Sequence, residues 1–260
     1  FGLNLAPDLG YPEVANLSPN RIQWVSPTLS HNTVVVNQRS QTPATVPGKP
    51  LHFDDSDAVK VIDIDCSHVY DVTDVYRRTA VMVAVDDENS YSVDFFRILG
   101  GDDHIYSFHA QSNEIAETEG LTLTAQTDAS GKFVGTYAGA DVPWGPDPWS
   151  DHSQNPETGY VTLQYPDGFT WLDHVRRDKA PERQFAIDFK IRDFRGQTLP
   201  QNANVHLRMT MMNDFDLTEL ALAKGYPPSK ADNAMIPSLE YVLARRTGSN
   251  LDTLFTTVYE

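Results

Sequence analysis

Apolar and polar residues alternate with period two along much of this chain. In Tyr91-Ser92-Val93-Asp94-Phe95-Phe96-Arg97-Ile98, residues Tyr91, Val93, Phe95 and Arg97 share one face, and Ser92, Asp94, Phe96 and Ile98 the other. The same alternation, rich in β-branched and aromatic residues, predicts strands over Arg21–Ser26, Asn32–Asn37, Ala58–Cys66, Tyr76–Val85, Ser90–Leu99 and His104–Ala110. Further strands are expected over Leu121–Ala125, Tyr160–Tyr165, Gln184–Arg192, Ala203–Met212, Glu240–Arg246 and Leu254–Tyr259. Turn residues separate them: Asp86-Asp87-Glu88-Asn89, Gly100-Gly101-Asp102-Asp103, Asp128-Ala129-Ser130-Gly131 and Pro166-Asp167-Gly168. Helical spacing is confined to Leu217–Lys224 and Ala231–Met235. The stretch from Gly139 to Pro156, rich in Pro, Trp and Asp, reads as a long surface loop. Many strands between Gly, Pro and Asp turns predict an all-β fold, a large antiparallel β-sandwich, as a single domain over residues 1–260.

Composition narrows the function classes. With 40% hydrophobic and 22% charged residues, the chain can bury an ordinary core. No apolar run approaches the roughly 20 residues that cross a bilayer as a helix. The 36 acidic residues outnumber the 20 Lys and Arg, giving a net charge of −16. Such a field repels nucleic acid and anionic membranes, so neither is an expected partner. A polyanionic ligand would need a local basic feature. The one cluster of that kind is Arg176-Arg177-Asp178-Lys179-Ala180-Pro181-Glu182-Arg183, which reads as a solvated loop of mixed charge. Cys66 is the only cysteine and has no internal disulfide partner. The chain opens on Phe1-Gly2-Leu3-Asn4-Leu5-Ala6, a pattern like mid-strand, without Met or a signal-peptide core. The expectation is a chain truncated at its N-terminal side.

Two segments carry candidate chemistry. In Ala6-Pro7-Asp8-Leu9-Gly10-Tyr11-Pro12-Glu13 an acid and an aromatic sit in a turn stiffened by Gly and Pro. In Ser30-His31-Asn32-Thr33-Val34-Val35-Val36 a polar triplet starts an apolar strand. A histidine entering a core strand needs a partner for each ring nitrogen, and either Asp8 or a metal ion can supply one. Arg77 and Arg78 are adjacent on a strand, so they point to opposite faces; one is a candidate for a carboxylate ligand and the other for the surface. His104 and His109 likewise face opposite ways. Trp144, Trp149 and Trp171 are candidates for a sugar-stacking platform or for plain core. No nucleophile elbow, P-loop, dinucleotide fingerprint or paired-cysteine motif is present.

These segments resemble the heparinase II/III-like polysaccharide lyases, in the part that follows their helical domain. The likeness runs through Leu5–Glu13, Ser30–Val36 with Gln41, Val75–Thr79, Tyr91–Ile98, Gly100–His109, Tyr241–Arg246 and Leu254–Glu260, and is most specific at His-Asn-Thr-Val. It leaves out roughly Thr122 to Glu182. The resemblance implies a helical toroid followed by a β-sandwich, and cleavage of uronic-acid-containing polysaccharide by β-elimination. It implies a zinc ion with Asp8 and His31 as two ligands. A further histidine ligand and the main catalytic tyrosine are expected upstream of Phe1. Arg77, Arg78 and Tyr11 are the substrate-binding candidates.

The expectation is therefore the C-terminal portion of such a lyase, inactive alone, forming one wall of the cleft and part of a zinc site. Its expected partners are an acidic polysaccharide, the upstream helical domain and a second copy of itself. The family's bulky substrates imply a periplasmic or secreted bacterial protein. Two other readings compete. One is a non-catalytic carbohydrate-binding or dimerisation module. The other is a complete lyase with its own tyrosine base, Tyr11 or Tyr106.

Overall fold

The alternation along Ser90–Leu99 becomes a ten-residue strand whose Phe96 and Ile98 are buried. Similar patterns build the rest of a computed structural model. It describes residues 3–10, 18–43, 46–147, 164–193, 200, 203–227 and 238–260. In chain order the strands are β1 (Thr33–Val36), β2 (Lys49–Asp55), β3 (Val59–Asp65), β4 (Val75–Ala84), β5 (Ser90–Leu99), β6 (Asp103–His109) and β7 (Ile115–Glu119). They continue as β8 (Thr124–Ala125), β9 (Asp173–Asp178), β10 (Gln184–Lys190), β11 (His206–Met212), β12 (Glu219–Gly225), β13 (Leu239–Thr247) and β14 (Asp252–Tyr259). A six-stranded sheet has the order β1-β6-β13-β12-β9-β8, and an eight-stranded sheet the order β2-β3-β4-β5-β14-β11-β10-β7. The two antiparallel sheets pack together as an all-β sandwich.

The main core lies between the sheets. Val34, Tyr106, Leu222 and Val242 face it from the six-stranded sheet, and Tyr76, Phe96, Phe189, Met209 and Phe255 from the other. A second core covers the outer face of the six-stranded sheet. There Val35, Ile105, Ala221, Tyr241 and Leu243 meet Trp24, Leu29, Tyr137, Phe169 and Trp171. This sheet is therefore buried on both faces, and every residue of β6 is buried.

Burial on both faces explains where the expected elements depart from the structure. Leu217–Lys224, expected as a helix, is strand β12 from Glu219. Its run Leu220-Ala221-Leu222-Ala223 feeds both cores, so period two vanishes and helix-favouring residues remain. Arg21–Ser26, expected as a strand, is a short π-helical turn over Arg21–Val25, closed by Ser26 N–H to the Arg21 carbonyl at 2.9 Å. It lies across the six-stranded sheet and buries Gln23, Trp24 and Val25 in succession. Strands β2, β7 and β9 were not expected: β2 is exposed and carries Pro50, and β9 carries Arg176 and Arg177.

The basic cluster is correspondingly not a free loop. Arg176 pairs with the buried Glu240 at 2.6 Å, Arg177 with Glu219, and Arg183 with Asp216 at 2.7 Å. Of Leu121–Ala125 only Thr124–Ala125 pairs. In the loop from Gly139 up to Asp147, Ala140, Asp141, Pro143, Trp144 and Pro146 are exposed, while Val142 and Asp147 anchor it in the interior. Residues 160–163 of the expected strand Tyr160–Tyr165, the helix expected at Ala231–Met235, and Trp149 lie outside the described residues. No helix among the described residues is long and apolar enough to cross a membrane.

Candidate functional site

The site forms at the open edge of the sandwich, where β1 ends the six-stranded sheet above β3 and β4. A 3-10 turn, Thr28–Ser30, delivers His31 there. Two buried hydroxyls pin that turn to the sheet: Ser107 donates to the Leu29 carbonyl at 2.7 Å, and Tyr241 to the Ser30 carbonyl at 3.0 Å. His31 Nδ1 then lies 2.7 Å from Asp8 Oδ1. An ionised carboxylate only accepts, so Nδ1 carries the proton and a neutral ring leaves Nε2 as an acceptor.

Each following residue of the His-Asn-Thr-Val element makes its own bond. The Asn32 amide clasps the backbone of His109, donating to its carbonyl at 3.2 Å and accepting its N–H at 2.8 Å. The Tyr76 hydroxyl gives its proton to the Val34 carbonyl at 2.6 Å. It accepts from Gln41 Nε2 at 2.9 Å and from the Thr33 hydroxyl at 3.0 Å. Tyr76 thus ties β1 to β4 and fixes Gln41 between them.

A cleft of about 490 Å³ is lined by Ser26, Thr28, His31, Thr33 and Gln41, with Val69 at its side. Thr33 and Gln41 also line a second cleft of about 210 Å³, with Ile64, Cys66, Tyr76, Arg78 and Phe96. The two clefts are neighbours that share these two side chains in their walls. Burial pushes the Cys66 thiol upward, which keeps it a thiol rather than a nucleophilic thiolate.

Arg78 is held on three sides. Its Nε and Nη2 donate to Asp94 at 2.8 and 3.0 Å, and its Nη1 to the Asn32 carbonyl at 2.9 Å. Asp94 is buried and also accepts from the Tyr106 hydroxyl at 2.8 Å. Tyr106 has one proton, so Tyr259, 2.6 Å away, donates to it. Arg77 points to the opposite face of the sheet and pairs with Asp63. Asp94 stood at an inward position of the β5 alternation, so a carboxylate facing the core was the signal for this network in the sequence.

The structure thus pairs Asp8 with His31, places Arg78 in the neighbouring cleft on the Asn32 carbonyl, and keeps Arg77 apart on the other face. Tyr11 lies outside the described residues. Tyr106, a candidate base, is buried and donates to a carboxylate, and burial pushes its hydroxyl well above 10. Burial also pushes Tyr76 up to about 12. Neither phenol is set up to take a proton near neutral pH. Zinc ordinarily takes about four ligands. Among the described residues no group of three or more His, Cys, Asp or Glu side chains stands ready to hold a metal ion. Asp8 and His31 alone do not complete a zinc site.

His109 is fully buried, stacked on Tyr241 at 4.5 Å and set against the Pro7 backbone. Burial pushes it down to about 4 from its ordinary 6.5, outweighing the Pro7 backbone, which favours the proton. The folded protein therefore binds this proton less readily than the unfolded chain. The resulting stability is complete above pH 6.5 and is lost as pH falls toward about 4. Urea unfolding should show a falling midpoint across that window, flatter in His109→Phe. An unchanged slope in the variant would rule out His109 as the source.

A scan against protein-family models finds no match for this chain, and a search of curated proteins finds none either.

Proposed function

We propose that this chain is the β-sandwich part of a lyase that cleaves uronic-acid-containing polysaccharide by β-elimination. One observation carries the reading: His31, Thr33, Gln41, Tyr76 and Arg78 line two neighbouring clefts that share Thr33 and Gln41. The same residues belong to the segments on which the family resemblance rests.

In the elimination a base removes the proton at C5 of the uronate. The electron pair forms the C4–C5 double bond and expels the C4 oxygen, which takes up a proton. Negative charge gathers on the carboxyl group on the way, so the site needs donors aimed at it. Among the described residues the cleft supplies such donors but no phenol poised as base. This fits a division of labour in which a helical partner domain brings the tyrosine and this chain forms the opposite wall. Any zinc of the parent enzyme would need donors from outside the described residues in addition to Asp8 and His31. A polymeric substrate fits a periplasmic or secreted protein.

The test is an ultraviolet assay for the unsaturated uronate product, using alginate, heparan sulfate and other uronate polymers. The chain alone is expected to give a flat trace. Supplying the sequence that precedes Phe1 in its gene is expected to give turnover that falls at least roughly tenfold in His31→Ala, since a cleft-wall contact acts on the transition state. Turnover by the chain alone would sink the divided-site reading. Saccharide affinity without cleavage, even with the upstream part present, would make it a binding module instead.

A further inference from the structure

We propose that Arg78 recognises the carboxylate of an acidic sugar unit lying in the cleft that Arg78 lines. The inference rests on the reading of the cleft as a uronate-binding wall and adds the group that tells an acidic from a neutral saccharide.

A guanidinium has five N–H donors in a fixed plane. Arg78 uses three of them, two on Asp94 and one on the Asn32 carbonyl. One N–H on each of Nη1 and Nη2 is left without a partner among the described residues. These two donors belong to adjacent nitrogens, the spacing that a carboxylate accepts with both oxygens. The plane is set before any ligand arrives, because Asp94 and Asn32 hold it from three directions. Little orientational freedom remains to be lost on binding. The surroundings suit a sugar carrying one acid group. Ile64 and Phe96 offer apolar surface to this 210 Å³ cleft, while Thr33 and Gln41 offer polar atoms and also line the larger cleft beside His31. Asp94 balances the charge of Arg78, so the site acts by directed short-range donors rather than by a long-range field. That resolves the conflict between a net charge of −16 and an anionic ligand. Arg77 cannot share the task, since it lies on the other face with Asp63.

The test compares binding of mannuronate oligomers with the same oligomers after reduction of their carboxyls to alcohols, by calorimetry on the 260-residue chain. The acidic oligomers should bind roughly tenfold tighter or more, as for a site left with unpaired donors by the neutral analogue. The Arg78 side-chain nitrogen resonances should shift on titration in the unmodified protein. Arg78→Lys, checked for folding by circular dichroism, should erase the difference between the two ligands. Equal affinities, absence of binding, or silent Arg78 resonances would overturn the proposal. So would a difference that survives in a folded Arg78→Lys. Carboxylate-dependent binding alongside a flat ultraviolet trace from the reassembled enzyme would instead leave Arg78 in its role and remove the lyase reading.

Discussion

Replacing Asp94 with alanine should destabilise the protein by about 3–5 kcal/mol, the range for removing one partner of a buried charge pair. Asp94 is the acceptor for Arg78 at two positions and for Tyr106 at a third. Without it, the Arg78 guanidinium keeps its charge but loses its counter-ion, and the Tyr106 and Tyr259 hydroxyls lose the end of their chain. For a domain of this size the midpoint of thermal unfolding should drop by about 10 °C. Asp94→Asn keeps one acceptor oxygen and should fall between the alanine variant and the native protein. Thermal and urea unfolding of the three proteins checks this. A loss under about 1 kcal/mol for the alanine variant would mean that the pair is solvated in solution and worth no more than a surface ion pair. The same variant should also blunt discrimination between acidic and reduced oligomers, because Arg78 would no longer be held in plane.

Trp24→Ala should cost a similar amount, about 3–5 kcal/mol, by a different mechanism. Trp24 is wholly buried and closes the outer core of the six-stranded sheet. Its ring lies 5.5 Å from that of Tyr241, and its Nε1 donates to the Tyr226 carbonyl at 2.8 Å. Alanine leaves a cavity, an unpaired carbonyl and a loosened N-terminal cover. Gly225 sits so close beneath that a Cβ there would stand 2.8 Å from the Trp24 ring, so the cavity has a rigid floor that cannot collapse far. The effect should reach the cleft. Tyr241 holds the Ser30 carbonyl, one residue from His31. Hydrogen exchange of the Thr28–Thr33 amides should therefore quicken more than that of β11, on the far side of the sandwich. Uniform quickening across both would show that the cover does not position the His31 turn.

Much of this was legible in the chain. Strand β5 was readable to the residue because one of its faces is buried and the other is not, so its alternation survives. The Gly100-Gly101 turn was readable because both glycines adopt positive φ, and a Cβ at Gly100 would meet the Val72 carbonyl oxygen at 2.3 Å. The pairing of Asp8 with His31 was readable as a demand: a histidine at the head of an apolar strand needs a partner, and few acids precede it. Strand β12 and the Trp24 turn were not readable. Their patterns depend on a layer that covers the six-stranded sheet from outside, and nothing local announces that layer.

The sequence by itself determined the class of fold, the turns between strands and the residue types gathered for chemistry. Those follow from interactions within a few residues: alternation, β-branching, and the backbone freedom of glycine. Only the tertiary structure decided which arginine faces the cleft. Arg77 and Arg78 are equivalent in pattern, and β4 could have presented either one inward. The choice is made by Asp94 on β5 and Asp63 on β3, each waiting on one face of the sheet. Register between strands, which neither strand encodes alone, sets Asp63 opposite Thr79 and Asp94 opposite Ala80, each two residues along the same face from its arginine.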